Sequence, residues 1–336
     1  MDETPYETLN ETLGETFREL SELGINIPEK KFSTHYSNLG ELGSGTFGVV
    51  YKVEDRSTKK IYVAKRTKIS EIFEIYFHTI IKCSDPNLIC LRDYFIYNKL
   101  LYLIYDYIHD SYELEQIHEE SYRSPWYTDY LIKVLRDVSS ALKYIHSKCI
   151  LHLDIKPRNI LVKCLDDLSS RDEMVSLGRI TGYLIDYGLS CSYDYISNNT
   201  YSCINKPIGR VPYIFYSPEL ANKSVPINTI NTSSDIYSLG VTIQVCMVNP
   251  YFLKYIYDEK YYLVFHCQAD QLNDEFDLFK ITNRIEDNVE NVGNVLANNR
   301  HVYSSVLFNL SVKMVDNDPT KRPTLDKVIE ALESFE

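Results

Sequence analysis

The sequence predicts an α+β protein of two lobes, a small β-rich N-terminal lobe with one helix and a larger, mainly helical C-terminal lobe. Short apolar runs separated by polar turns, typical of strands, occupy residues 36–108. From about residue 112 onward, apolar residues recur at helical spacing, most clearly over Tyr127–Ser147. The length of 336 residues suits two such parts. Because 44% of the residues are hydrophobic and 24% are charged, disorder throughout the chain is excluded.

We expect an acidic N-terminal extension over residues 1–35, the N-terminal lobe over 36–108 and the C-terminal lobe over 109–336. Polar stretches near 165–179 and 266–300 are typical of surface insertions.

The extension carries an apolar stripe at helical spacing, and its other faces are acidic. Such a helix either packs on the body of the protein or docks a partner, and both interpretations stay open here. The stripe consists of Leu9, Leu13, Phe17 and Leu20.

The elements of the N-terminal lobe follow from its apolar runs. Val49–Val53 and Ile61–Lys65 are predicted strands joined by a polar hairpin turn, and residues 69–82 have the periodicity of a helix. Leu88–Tyr97 and Leu100–Tyr107 are predicted as two more strands. This order gives a β-rich lobe with one helix.

Charge and composition exclude several classes of protein. The 35 basic and 47 acidic residues leave a net charge of −12, which repels phosphates, so a general nucleic-acid binder is excluded. No stretch approaches the ~20 apolar residues that span a bilayer, and the acidic start lacks a secretory apolar segment. The eight cysteines show no metal-ligand spacing and are expected to be reduced thiols. We therefore expect an intracellular protein without membrane partners, in the cytoplasm or nucleus, of a host cell if the chain is viral.

A glycine-rich turn in the N-terminal lobe has the spacing of a phosphate-binding loop. It lies between two strands rather than between a strand and a helix, which argues against a dinucleotide site. Glycines let the backbone close over phosphates and present N–H donors. Lys65 lies on the next strand and shares a face with Val63. The turn runs Leu42-Gly43-Ser44-Gly45-Thr46-Phe47-Gly48-Val49-Val50.

A second group of polar residues lies in the C-terminal lobe, within the apolar frame of residues 150–162. Asp154 can accept a proton from a hydroxyl, and Lys156 can neutralise a transferring phosphoryl group. Asn159 can donate an oxygen ligand to Mg²⁺. Farther along, an apolar strand ends in Asp186-Tyr187-Gly188, where Asp186 suits a second Mg²⁺ ligand.

The order of these motifs resembles the eukaryotic protein-kinase family over residues 36–332. Ser217-Pro218-Glu219 resembles the Ala-Pro-Glu that closes the activation segment of that family, and Asp235 resembles the aspartate that opens its central helix. Arg322 is similar to the arginine that pairs with the Ala-Pro-Glu glutamate. The resemblance implies a bilobal kinase fold, ATP and Mg²⁺ as cofactors, a protein substrate, and structural roles for Glu219, Asp235 and Arg322.

The resemblance also implies roles for single residues. Lys65 would hold the α- and β-phosphates, Asp154 would be the catalytic base and Lys156 the charge clamp. Asn159 and Asp186 would ligate Mg²⁺. The implied nucleotide contacts are the turn residues Leu42, Gly43, Ser44, Gly45, Thr46, Phe47 and Gly48, the adenine neighbours Val50, Val63 and Leu161, and the hinge groups of Asp106 and Ile108. Tyr105 would be a large gatekeeper residue in front of the hinge.

Two departures from the family pattern bear on regulation and on Lys65. Leu153 stands where the family's arginine binds an activation-loop phosphate, so phosphorylation within residues 190–210 is expected to lack its main receptor. The glutamate that pairs with Lys65 is not fixed by counting residues. An ungapped count arrives at Tyr76, whereas Glu74 requires a longer loop and is our choice, with Glu71 as a further candidate.

The sequence does not decide whether the phosphorylated residue is serine or threonine, or tyrosine. The segment Asp154–Asn159 resembles the loop of serine/threonine kinases, and we favour that specificity. Val211-Pro212-Tyr213 resembles tyrosine kinases, and the segments around His152 and Asp186 resemble Wee-type and vaccinia-related kinases in part. The alternatives are a tyrosine-directed or dual-specificity kinase, or a pseudokinase that acts as a binding scaffold through the extension 1–35, where a partner would dock, and the insertion 266–300.

Overall fold

The chain divides into two compact units in the computed structural model, Met1–His109 and Asp110–Glu336. Both predicted insertions, near 165–179 and 266–300, lie outside the described residues, as do Leu9 and Leu13 of the extension. The structure describes residues 17, 18, 20–45, 48–121, 124, 126–164, 180–194, 199–201, 215–221, 230–247 and 302–335.

A five-stranded antiparallel sheet with strand order β1-β2-β3-β5-β4 forms the body of the first unit. A short helix α1 (Phe32–His35) precedes the sheet, and a 3₁₀ turn (Ile69–Glu71) leads into helix α2 (Phe73–Ile81). The β-rich lobe with one main helix is therefore confirmed, although β4 begins at Leu91 rather than at Leu88. The strands are β1 (Tyr36–Gly45), β2 (Gly48–Asp55), β3 (Ile61–Lys68), β4 (Leu91–Tyr97) and β5 (Leu100–Asp106).

The core of the first unit lies on both faces of β5, because successive strand residues point to opposite faces. Tyr102 and Ile104 belong to one buried apolar cluster, and Leu101 and Leu103 belong to another. The second cluster also contains Ile72, which immediately precedes α2, and Ile75 of α2. The extension contributes Leu20 and Ile25, and Phe17 packs against the cluster.

The extension therefore packs on its own unit wherever the structure describes it. Residues 17, 18 and 20–22 are helical, and the side chain of Leu20 is only 1% exposed. The backbone that follows continues along the edge strand β4, where the amide of Ile96 donates to the carbonyl of Pro28 at 2.9 Å and the amide of Lys30 donates to the carbonyl of Ile96 at 3.1 Å. This pairing covers a sheet edge that would otherwise be open.

The cysteines differ from expectation near the end of α2. Cys83 and Cys90 are joined by a disulfide, and Cys191 is disulfide-bonded as well, so the prediction of reduced thiols is wrong at these positions. The cause at the first pair is a turn with positive φ at Lys82 and Cys83, which brings the two Cα atoms to 5.2 Å. The bond closes the connection between α2 and β4.

The second unit is mainly helical, which confirms the class predicted for the C-terminal lobe. Helix α4 has the bounds that its periodicity predicted, and α6 is buried along nearly its whole length. Among the helices that are described, none is both long enough and apolar enough to cross a bilayer. The helices are α3 (Leu114–Ser121), α4 (Tyr127–Ser147), α5 (Pro218–Ala221), α6 (Thr232–Met247), α7 (Val302–Met314) and α8 (Leu325–Glu333).

Two small sheets in the second unit carry the loops of interest, with strand orders β6-β8-β9 and β11-β10-β7. A 3₁₀ turn (Pro157–Asn159) connects β7 to β8. The strands are β6 (Ser111–Glu113), β7 (Ile150–Leu151), β8 (Ile160–Cys164), β9 (Ile180–Leu184), β10 (Cys191–Asp194) and β11 (Asn199–Tyr201).

Candidate active site

The glycine-rich turn joins β1 to β2, with Gly45 opposite Gly48 in the register. Gly48 has φ +130°, and a Cβ there would lie 2.1 Å from the carbonyl oxygen of Arg66, so only glycine fits. At Gly43 and Gly45 a Cβ would meet no atom within 4 Å. Packing thus explains glycine at position 48 but gives no reason for it at 43 or 45. Thr46 and Phe47 lie outside the described residues.

Lys65 is a buried cation on β3, and its side chain is paired with a carboxylate from α2. Its Nζ lies 2.7 Å from Oε2 of Glu74, and the two side chains are 10% and 2% exposed. The structure thus pairs Lys65 with Glu74, the choice among Glu71, Glu74 and Tyr76 that the sequence favoured. The other oxygen of Glu74, Oε1, accepts a hydrogen bond of 2.7 Å from the hydroxyl of Tyr105. Sequence reasoning missed this second bond.

The remaining candidate nucleotide contacts of the first unit lie along β1, β2, β3 and the end of β5. Leu42 is half exposed, while Val50 and Val63 are half-buried on neighbouring strands. The carboxylate of Asp106 accepts two hydrogen bonds from Arg92, at 2.8 and 2.6 Å, which link the end of β5 to β4. Leu161 belongs to the second unit and is half-buried on β8, opposite Tyr183.

Asp154 is the buried centre of a polar loop in the second unit. Lys156 Nζ lies 2.9 Å from both of its carboxylate oxygens. The side-chain nitrogen Nδ2 of Asn159 donates to the backbone carbonyl of Asp154 at 2.8 Å and to Oδ2 of Asp154 at 2.7 Å. Burial raises the pKa of Asp154 to about 6, although the Lys156 ammonium acts to lower it. A carboxylate with a pKa this close to neutrality suits a general base.

The backbone of this loop is held by Asp235, the first acidic residue of α6. Oδ1 accepts from the amide of Leu153 at 2.7 Å, and Oδ2 accepts from the amide of His152 at 2.9 Å. His146 Nε2 lies 2.8 Å from the same Oδ2. Burial acts to raise the pKa of Asp235, yet the hydrogen bonds from His146 and Leu153 bring it below its ordinary value. The sequence did not mark His146, because nothing local links it to a carboxylate on another helix.

Asp186 is brought next to this loop by backbone hydrogen bonds. The amide of Ile185 donates to the carbonyl of Asn159 at 3.0 Å, and Ile185's own carbonyl lies 3.0 Å from Nε2 of His152. Asp186 has φ +66°, and its Oδ1 accepts from the amide of Gly188 at 3.2 Å. The positive φ turns the chain sharply just after the strand ends.

The oxygen donors at this place suit a magnesium ion. Asn159 bonds Asp154 through its amide nitrogen, which leaves its side-chain oxygen available, and Asp186 adds a carboxylate. Within the described part of the chain, no three His, Cys, Asp or Glu residues cluster so that they could hold a metal alone. Mg²⁺ is commonly held by one or two protein oxygens together with substrate phosphates. The two residues therefore fit Mg²⁺ bound with a nucleotide better than a self-contained metal site.

The residue at the Ala-Pro-Glu position is paired as the resemblance implies. Arg322 Nη1 and Nη2 lie 2.6 and 2.9 Å from Oε1 and Oε2 of Glu219, a bidentate pair in which the arginine side chain is fully buried. Burial acts to raise the pKa of Glu219, but Arg322 and the hydroxyl of Ser234 lower it overall. This pair ties α5 to the chain before α8.

Leu153 occupies an apolar environment. It is 7% exposed and belongs to a buried apolar cluster. The position at which the family's arginine binds a phosphate is therefore filled by hydrophobic packing in this chain. The other members of the cluster are Leu151, Cys191, Tyr216, Leu220 and Ile230.

The chain is similar to known protein kinases. The family model of the protein kinase domain matches residues 36–332. The probable serine/threonine-protein kinase glkA of Dictyostelium discoideum is 24% identical over 303 residues, which cover 88% of this chain and 57% of that protein. This chain thus spans just over half the length of that relative.

Two further similarities extend the comparison. A putative serine/threonine-protein kinase of Acanthamoeba polyphaga mimivirus is 28% identical over 288 residues, which cover 82% of this chain and 83% of that protein. The solved twitchin kinase region of C. elegans has a TM-score of 0.56 and 20% identity, and the match covers 91% of this chain and 47% of that one. At this identity, the structural likeness shows the fold.

Proposed function

This chain belongs to the protein kinase family, and we propose that it transfers the γ-phosphoryl group of ATP to a serine or threonine hydroxyl of a protein. The observation that carries the proposal is the Asp154 loop, where a buried carboxylate, an ammonium and an amide meet at 2.7–2.9 Å. Burying these polar side chains costs free energy that their mutual hydrogen bonds offset, and an apolar core would need none of them, so a role beyond packing is the reason we assign to the group.

Each residue of the loop has a place in the proposed reaction. Asp154 would accept the proton of the attacking hydroxyl, and Lys156 would neutralise charge on the transferring phosphoryl group. Lys65, oriented by Glu74, would hold the α- and β-phosphates. Mg²⁺ held by Asn159 and Asp186 would supply neutralisation of the phosphate charge. Positioning and electrostatics would then provide the catalysis.

The glycine-rich turn supports ATP as the phosphoryl donor. Because packing does not require glycine at positions 43 and 45, a backbone that must approach phosphates closely is the reason we assign to them. Such a reaction needs ATP, so we place the protein inside a cell, in the cytoplasm or nucleus.

Serine/threonine specificity is supported by Lys156, which follows Asp154 by two residues as in the serine/threonine-kinase loop, and by relatives that carry that name. The net charge of −12 favours basic substrates. The segment 211–213, which resembled tyrosine kinases, lies outside the described residues.

A peptide library in which Ser, Thr and Tyr acceptors share one sequence context tests the proposal. With labelled ATP and Mg²⁺, the wild-type chain is expected to label Ser and Thr peptides, and Asp154→Asn is expected to label none. Labelling confined to Tyr peptides would overturn the specificity. Stabilisation by Mg-ATP in a thermal shift without any transfer would instead identify a binding scaffold.

A further inference from the structure

We infer that Tyr105 is a positioning residue for the proposed phosphoryl transfer, because its hydroxyl holds the Glu74 carboxylate in the orientation that bonds Lys65. The inference rests on the proposed function only in giving Lys65 a nucleotide to bind. Each oxygen of the carboxylate has its own donor: Oε2 accepts from Lys65 Nζ and Oε1 accepts from Tyr105 Oη, both at 2.7 Å. Tyr105 thus acts on Lys65 through Glu74.

The sheet holds both donors in fixed positions. Lys65 on β3 pairs with Leu103 on β5, and Val63 pairs with Tyr105. Because alternate residues of a strand share a face and paired residues project together, Lys65 and Tyr105 extend from the same face of neighbouring strands. Helix α2 then brings Glu74 to both donors at once.

A second donor matters because Glu74 is buried. With one donor, a carboxylate can rotate about its last side-chain bond, whereas two donors fix its plane. Glu74 is only 2% exposed, so water cannot easily replace a lost hydroxyl. The tyrosine hydroxyl is neutral, and it therefore binds Oε1 without cancelling the charge that attracts Lys65.

The ring of Tyr105 is held independently of its hydroxyl. His78 lies four residues after Glu74, on the same side of α2, and its ring centroid is 5.1 Å from that of Tyr105. Tyr105 also packs against the apolar cluster that contains Leu103 and Ile75. Replacing Tyr105 by Phe should therefore keep the packing and remove the hydrogen bond to Glu74.

The first test measures the reactivity of Lys65 with acetic anhydride, in the full chain without nucleotide, by mass spectrometry. Tyr105→Phe is expected to increase acetylation of Lys65 about tenfold, the change that one hydrogen bond to a charged group corresponds to. Lys68, exposed on the same strand, is the internal reference for the fold. Tyr94→Phe, which removes a hydroxyl from the same apolar cluster, is the matched control and should equal wild type. Equal acetylation of Lys65 in wild type and Tyr105→Phe would overturn the inference.

A kinetic comparison separates this inference from the proposed function. Tyr105→Phe is expected to raise KM for ATP more than it lowers kcat, because Lys65 loses orientation while the Asp154 loop is unchanged. Tyr94→Phe should match wild type in both. An active wild type with unchanged KM in Tyr105→Phe would also overturn the inference. An inactive wild type that still shows the acetylation difference would refute the proposed function and leave the positioning role supported.

Discussion

The two groups of candidate catalytic residues are held in place by different means. In the first unit, the orientation of Lys65 depends on side chains, a carboxylate from the nine-residue helix α2 and the hydroxyl that bonds it. In the second unit, the backbone of the Asp154 loop is bonded to Asp235, a residue more than 80 positions later. A shift of α2 would separate Lys65 from Glu74, whereas the loop cannot move without leaving buried N–H groups unpaired. The orientation of the first group therefore depends on the position of α2, whereas the backbone of the second group is held by hydrogen bonds to Asp235.

The largest effect on stability is expected from the anchor of the second group. Asp235→Asn keeps the size of the side chain but replaces one carboxylate oxygen by an NH2 group, which donates. A buried backbone amide of the Asp154 loop and the ring of His146 then lose an acceptor. We expect a loss of about 3 kcal/mol in the free energy of unfolding. Chemical denaturation of the full chain measures it, with the exposed Asp129→Asn as a control that should change little. Equal stability of wild type and Asp235→Asn would show that the loop is held in another way.

The difference in stability between wild type and Asp235→Asn should depend on pH. The pKa of Asp235 is lower in the folded chain than in the unfolded chain. Its negative charge therefore stabilises the folded chain above about pH 4, and this stabilisation is lost as the pH falls through the pKa that Asp235 has in the folded chain. The advantage of wild type over Asp235→Asn should therefore be full at neutral pH and shrink on acidification. Unfolding measured at several pH values tests this, and a difference that grows below pH 4 would contradict the sign.

A smaller effect is expected from the extension that supports α2. Leu20 is buried against Ile72 and Ile75, so Leu20→Ala should cost about 2 kcal/mol through lost contacts and a cavity. Leu23 is 59% exposed, and Leu23→Ala is the matched control with little expected change. If the orientation of Lys65 depends on the position of α2, Leu20→Ala should also raise KM for ATP. Wild-type stability in Leu20→Ala would show that the extension is not part of the core.

The contrast between the two groups also explains what sequence could predict. Local periodicity sufficed for α4, because its buried stripe recurs over many turns, and for the strands of the first unit. The roles of Lys65, Asp154, Asn159 and Asp186 could be proposed because their side-chain chemistry and order are distinctive. Their catalytic and binding roles stay predictions.

Other features depend on contacts that no local pattern encodes. The partner of Lys65 could only be favoured, because the count that reaches Glu74 depends on the length of the loop after α2, which begins with a positive-φ turn at Lys82 and Cys83. The bond from Tyr105 to Glu74 joins residues 31 positions apart, and the bond from His146 to Asp235 joins residues 89 apart. The disulfide at Cys83 depends on a turn with positive φ at Lys82 and Cys83, which neither residue type predicts.

The smallest effect is expected from dephosphorylation. Since Leu153 lies in an apolar cluster where the family's arginine would bind a phosphate, the second group should not need phosphorylation to be in place. Phosphatase treatment should leave kcat and KM unchanged, with an unrelated phosphorylation-dependent kinase as the positive control. A large loss of activity would show that another group receives a phosphate.

We propose that both groups serve one phosphoryl transfer, and substitution of Lys65 and Asp186 is the sharpest test of that proposal. Transfer from labelled ATP to a basic protein substrate is measured for wild type, Lys65→Met, Asp186→Ala and the control Lys68→Met, after each is shown to be folded. We expect transfer by wild type and Lys68→Met and none by Lys65→Met or Asp186→Ala. Undiminished transfer by either of these two variants would contradict it.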